Sequence, residues 1–321
     1  MSPVQVWKGL DEVPAGIGPC VVTLGNFDGV HRGHRAVLDV VVAQAQARGL
    51  TSVVVTFHPH PIAVLFPDRA PAELTSVAQR LDLLSATGVD AVLVLEFTRE
   101  FAAQTPAQFV DSVFVDALQA AVVVVGEDTR FGVRNSGTVQ TLVELGVDRG
   151  FEVVPVRDVG DEGRWSSTRV RALVADGDVV AAGELLGRSP RVDGVVVHGD
   201  HRGRLLGFPT ANLGEPIQGL VPADGVYAGW LTRLDLASGS VDRVLPAAIS
   251  IGTNPTFDGT SRRVEAYVLD RTDLELYGER VAYEFVRMLR PTLRFDGVEP
   301  LVTQMHADVQ ECRATLAAPT P

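Results

Sequence analysis

For roughly the first 186 residues, short apolar runs alternate with amphipathic stretches. The runs cover residues 21–25, 53–57, 91–97, 122–126 and 153–156. Strands buried on both faces read as continuous runs of this kind, and the stretches between them suit crossover helices. Residues 34–48 place Val37, Val40, Val41 and Ala45 on one helical face, and Thr105-Pro106-Ala107-Gln108 reads as a capping box with proline at the first helical position. The pattern predicts an α/β domain built on a parallel sheet.

Beyond about residue 192 the period shortens. Residues 192–198, 225–233, 244–251, 263–269 and 280–289 read as strands separated by Gly, Pro and Asp turns, which predicts a small β-barrel. Residues 298–316 read as a closing helix with Leu301, Met305 and Val309 on one stripe. Gly187-Arg188-Ser189-Pro190 supplies a helix stop and a linker, so the expected domains are 1–186 and 187–321.

Composition narrows the chemistry. A formal net charge of -12 on 321 residues argues against a nucleic-acid partner. Lys8 is the only lysine among 28 Lys and Arg residues, which leaves 27 arginines. A Walker A loop and a protein-kinase fold each need a lysine at a fixed place, so phosphate chemistry here must use Arg, His, backbone N–H groups or a metal. Two distant cysteines, Cys20 and Cys312, fit a reducing compartment. With no export signal and no apolar stretch long enough to span a bilayer, the expected location is the cytoplasm, away from any membrane.

The first run ends in Gly25-Asn26-Phe27-Asp28-Gly29-Val30-His31-Arg32-Gly33-His34, followed by a predicted helix. A strand turning through glycines into a helix brings backbone N–H groups up to a phosphate. His31 and His34, three apart, can face one ligand from a helical turn; the bland alternative is a helix-capping histidine, or a structural metal held with His58 and His60.

This decamer resembles the HxGH signature of nucleotidylyltransferases, in the extended form found in bacterial bifunctional riboflavin kinase/FMN adenylyltransferases (FAD synthetases). Further blocks are similar in order: Thr56-Phe57-His58-Pro59-His60-Pro61, Gly126-Glu127-Asp128-Thr129-Arg130-Phe131-Gly132, and Ser166-Ser167-Thr168-Arg169-Val170-Arg171. The resemblance implies a Rossmann-like nucleotidylyltransferase domain. It implies ATP at Gly25, Asn26, Phe27, Asp28, Gly33, Ser166, Ser167 and Thr168, FMN at His58, Pro59, His60, Pro61 and Asp128, and catalysis by His31, His34 and Arg171. Thr129 departs from the usual phenylalanine of its block. An FMN phosphate is already largely dianionic at neutral pH, so adenylyl transfer needs positioning and charge neutralisation rather than a base.

In the β-rich half, residues 199–212 hold three glycines, Pro209, Thr210 and Asn212, a poor strand and a good ligand loop. They resemble the flavokinase signature GRxLGFPTAN. That likeness implies ATP at Gly199, Gly203, Arg204, Gly207, Pro209, Thr210 and Asn212, with Mg2+ held by Thr210 and Asn212. A ribityl hydroxyl is a weak nucleophile and needs a proton acceptor. The stretch Val264-Glu265-Ala266-Tyr267-Val268-Leu269-Asp270 resembles the family's VExHxxDF strand, which places Glu265 as the catalytic carboxylate; Tyr267 replaces the usual histidine. Phe257 and Tyr267 are the expected flavin contacts.

The expected function is FAD biosynthesis in two ATP-dependent steps, with riboflavin, FMN and ATP as small-molecule partners, FAD as product and Mg2+ as cofactor. A homo-oligomer is left open. The alternatives are a nucleotidylyltransferase for another acceptor, against which the second signature argues, and a non-catalytic flavin- or nucleotide-binding regulator, against which the presence of His31, His34, Thr210, Asn212 and Glu265 argues.

Overall fold

A computed structural model describes residues 4–157, 165–199, 203, 206–256 and 259–317. The chain divides into two compact units, residues 1–167 and 168–321.

The first unit is a six-stranded sheet in the order β1-β4-β3-β2-β5-β6, parallel throughout. Its strands are β1 (Gln5–Lys8), β2 (Cys20–Leu24), β3 (Thr51–His58), β4 (Ala91–Glu96), β5 (Ala120–Gly126) and β6 (Glu152–Val156). The five expected strands are present to within two residues at each end. β1, an edge strand only four residues long, carries too little pattern to be read from sequence, and exposed Lys8 closes it. Val22, Val53, Val55 and Val123 pack on one face with a chain of phenylalanines, while Val21, Val41, Ala45 and Val124 fill the other, which is why apolar residues follow one another along these strands and the polar ones among them, Thr23, Ser52 and Thr56, are buried too.

The helices are α1 (Arg32–Arg48), α2 (Pro61–Leu65), α3 (Val77–Ser85), α4 (Arg99–Ala102), α5 (Pro106–Phe109) and α6 (Val139–Arg149). The capping box at Thr105 and Gln108 forms as expected, although α5 passes after one turn into a π-helical stretch, Val110–Ala117. β2 is followed in sequence by β3 on one side and flanked by β5 on the other. That reversal point, at the carboxyl ends of the strands, is where an open α/β sheet forms its crevice.

The second unit is a closed antiparallel barrel, β10-β11-β8-β7-β12-β9. Its strands are β7 (Arg191–Val197), β8 (Ala211–Leu213), β9 (Gly225–Arg233), β10 (Val244–Thr256), β11 (Gly259–Val268) and β12 (Arg280–Pro291). Val192, Tyr227, Leu231, Ile249, Val264, Ala266 and Tyr283 fill the interior. β8 corrects the sequence reading: the end of the glycine-rich loop is a three-residue strand that closes the barrel between β7 and β11. α7 (Ser167–Ala175) crosses the unit boundary, and α8 (Val179–Leu186) packs on β12 and ends at Gly187 in the left-handed conformation. α9 (Val298–Ala317) lays Val309, Cys312 and Leu316 over Ala228, Tyr267 and Leu269.

Candidate active sites

In the first unit the site begins where β2 ends. The turn from Gly25 to α1 is tightly wound: Phe27 has φ 47° and Val30 φ 38°, an unusual conformation for a β-branched residue. Buried Asp28 holds it there. Its carboxylate accepts hydrogen bonds from the backbone N–H of Leu74 (3.0 Å), the N–H of Thr75 (3.0 Å) and the Thr75 hydroxyl (3.1 Å), and the Ser167 hydroxyl donates to its carbonyl at 2.8 Å. Asp28 therefore staples the turn to a distant loop.

His31 is the N-cap of α1, its Nδ1 accepting the His34 N–H at 3.3 Å. The capping reading of this histidine is thus correct, and it leaves Nε2 as the ring's proton-bearing nitrogen. His34, one turn later, stacks on it with ring centroids 3.7 Å apart. Gly33 makes the pairing possible, since a Cβ there would come within 3.1 Å of the His31 ring. Burial, the neighbouring His31 and the Arg80 guanidinium, in that order, hold the His34 imidazole well below its ordinary pKa of 6.5. His34 therefore stays uncharged at neutral pH, and the stacked rings can offer N–H donors to developing phosphoryl charge.

His58 and Pro59 are exposed at the end of β3, while His60 is buried and caps α2, its Nδ1 accepting the Ile62 N–H at 3.2 Å. The His60 Nε2 lies 3.4 Å from the Asn26 side-chain amide, so the segment from His58 to Pro61 is tied to the turn. Exposed Asp128 stands in the loop after β5, and Phe131 behind it is buried against Phe109, with ring centroids 5.8 Å apart.

The barrel carries a cavity of about 440 Å3 lined by Gly199, Gly203, Gly207, Pro209, Thr210, Asn212, Arg263, Glu265 and Arg271 among others. Pairing of β8 with β11 sets Asn212 opposite Glu265. The Thr210 hydroxyl donates to Glu265 Oε2 at 3.1 Å, and Asn212 Nδ2 donates to the Thr210 carbonyl at 3.3 Å. Gly199 is required by this packing, because a Cβ would sit 2.6 Å from Asn212 Nδ2. Glu265 alternates with Val264 and Ala266 of the barrel core, so it stands on the outer face of β11.

Comparison with known proteins follows this division. The FAD synthetase family model matches residues 14–169 and the riboflavin kinase model residues 186–316. The bifunctional riboflavin kinase/FMN adenylyltransferase of Escherichia coli K12 is 38% identical over 291 residues, 90% of each chain, and that of Pseudomonas fluorescens is 38% identical over 319 residues, 99% of each chain. The chain belongs to the bifunctional riboflavin kinase/FMN adenylyltransferase family. A solved Streptococcus pneumoniae structure, titled a macrolide-efflux protein, is 33% identical and superposes with a TM-score of 0.86 over 97% of this chain and 99% of that one. No helix among the described residues here is long and apolar enough to cross a membrane.

Of the residues implied by this family's signatures, Gly25, Asn26, Phe27, Asp28, His31, Gly33, His34, His60 and Ser167 converge in the first unit. Thr168 and Arg171 lie in α7 and belong to the second unit. Arg204 and Phe257 lie outside the described residues. Tyr267 does not line the barrel cavity; its ring meets Phe208 edge-on at 5.2 Å beside α9. Two residues went unread in the sequence. Buried Tyr283 donates to the Ala211 carbonyl at 2.7 Å and so fixes β8 between Thr210 and Asn212; burial and the nearby Glu265 push its pKa far up. Arg80, in α3, is 1% exposed behind the first turn. Neither belongs to a recognisable motif, and only their burial distinguishes them.

Proposed function

We propose that the barrel unit phosphorylates riboflavin with ATP, giving FMN and ADP, and that the first unit transfers AMP from a second ATP to FMN, giving FAD and diphosphate. The observation that carries the kinase step is the 3.1 Å bond from the Thr210 hydroxyl to Glu265. A hydroxyl that gives its proton to Glu265 turns its lone pairs elsewhere, toward a cation, while Glu265 Oε1 can take the proton of the ribityl 5′-hydroxyl as its oxygen attacks the γ-phosphate. Thr210 Oγ1 and Asn212 Oδ1 are hard oxygen donors that fit Mg2+, which takes few protein ligands beside phosphates and water. Bound there, Mg2+ would neutralise charge on the transferring phosphoryl group.

For adenylyl transfer, the FMN phosphate needs no base. The work of the first unit is alignment: the turn's N–H groups and the start of α1 receive the triphosphate, the stacked imidazoles donate to the α-phosphoryl oxygens, and the segment from His58 to Pro61, with Asp128, forms the FMN side. Asp28 contributes by shaping the turn, since its carboxylate is already spent on Leu74 and Thr75. Both cysteines are buried and unbridged, which suits a cytoplasmic enzyme. Purified protein given riboflavin, ATP and Mg2+ should yield FMN and then FAD by chromatography. Absence of FAD from supplied FMN would overturn the first assignment, and absence of FMN from riboflavin the second.

A further inference from the structure

A cation is buried behind the first turn. Arg80 is 1% exposed; among the described residues its Nε and Nη2 have no hydrogen-bond partner, and Nη2 reaches only Glu73, at 3.8 Å. Burial lowers its pKa against the pull of Asp28 and Glu73. A guanidinium held this way costs desolvation that an apolar residue of similar volume would avoid, and such departures from packing rules gather at functional sites.

What Arg80 does touch is specific. Its Nη1 donates to the Phe57 carbonyl at 3.1 Å and to Thr56 Oγ1 at 3.4 Å, and the Thr56 hydroxyl passes a hydrogen bond on to the Asn26 carbonyl at 3.2 Å. The Asn26 side chain meets His60, which caps α2. One guanidinium thus ties α3 to the end of β3, to the turn bearing His31 and His34, and through Asn26 to the segment assigned to FMN.

We infer that Arg80 is a positioning residue for adenylyl transfer, acting through Thr56 and Asn26 to hold the ATP turn and the FMN segment in register. The inference rests on the assignment of adenylyl transfer to the first unit, which FAD formation by the unsubstituted chain tests separately. Misplacement of reacting groups by about 1 Å costs on the order of a hundredfold in rate. Arg80→Met should therefore lower kcat for FMN adenylylation by about thirtyfold or more, with KM for ATP and FMN within about threefold. Riboflavin phosphorylation in the same chain is the internal control and should be unchanged. Arg80→Lys, which can still donate to Phe57 and Thr56, should recover most of kcat. Thr56→Val should lose about tenfold alone, and the double variant should be no worse than Arg80→Met, because both act on one relay.

A residue that only supports the fold would lower the melting temperature of the first unit and leave kcat per folded molecule intact. That result, or losses that multiply in the double variant, would overturn the inference. If Arg80→Met does not fold, the nearly isosteric Thr56→Val decides alone, and an unchanged kcat there is equally fatal.

Discussion

Thr210 donates its hydroxyl proton to Glu265 across the β8–β11 seam, at 3.1 Å. The bond fixes one carboxylate oxygen; the proposed kinase step uses the other. Glu265→Gln keeps the shape and loses the acceptor, so riboflavin phosphorylation should fall by about a hundredfold or more, while FAD formation from supplied FMN stays at the unsubstituted rate. Parallel loss of both activities would contradict a role confined to the barrel.

Gly199 admits the Asn212 side chain against the backbone. Gly199→Ala should push Asn212 off its position and lower kinase kcat/KM for ATP by about tenfold, the scale set by overpacking of about 1–3 kcal/mol. Steady-state kinetics at varied ATP would detect this, and an unaltered kcat/KM would show that Asn212 does not need its present place.

Asp28→Asn replaces one acceptor oxygen with a donor facing the N–H of Leu74 or Thr75. A buried mismatch of this kind costs on the order of 3 kcal/mol. Calorimetry should show a lowered melting transition for the first unit with kinase activity retained. A transition that does not move would mean that the staple contributes nothing.

His34 titrates in the direction that penalises acid. Its folded-state pKa is depressed, so the unfolded chain takes up the proton first, and stability falls as pH drops below the ordinary value of 6.5 and on toward the folded value. Urea unfolding of the first unit should show this loss between about pH 6.5 and pH 5. His34→Asn should remove that portion of the pH dependence; an identical slope in the variant would refute it.

The sites were legible where chemistry imposes short-range spacing. The run from Gly25 to His34 and the run from Gly199 to Asn212 announce themselves because glycine, histidine and small polar residues at fixed offsets suit phosphate and little else. The strands around them were legible because burial on both faces makes apolar residues follow one another with few polar interruptions. Long-range pairings were hidden. Nothing near Asp28 marks Thr75 as its partner, 47 residues on. Arg80 sits in a helix with Gln79 and Asp82, where an arginine reads as solvent-facing, and only the folded position of α3 reveals that it is enclosed. β8 was missed because three residues between a loop and a turn carry no period.

Lys8, exposed at the end of β1, offers a single handle for lysine-directed chemistry on the whole chain. In a parallel sheet all carboxyl ends share one edge, so the handle lies on the same rim as the turn after β2, three strand spacings or about 14 Å away. A fluorophore attached there would report nucleotide arrival at the first unit with no engineered cysteine and no second labelled lysine to deconvolute.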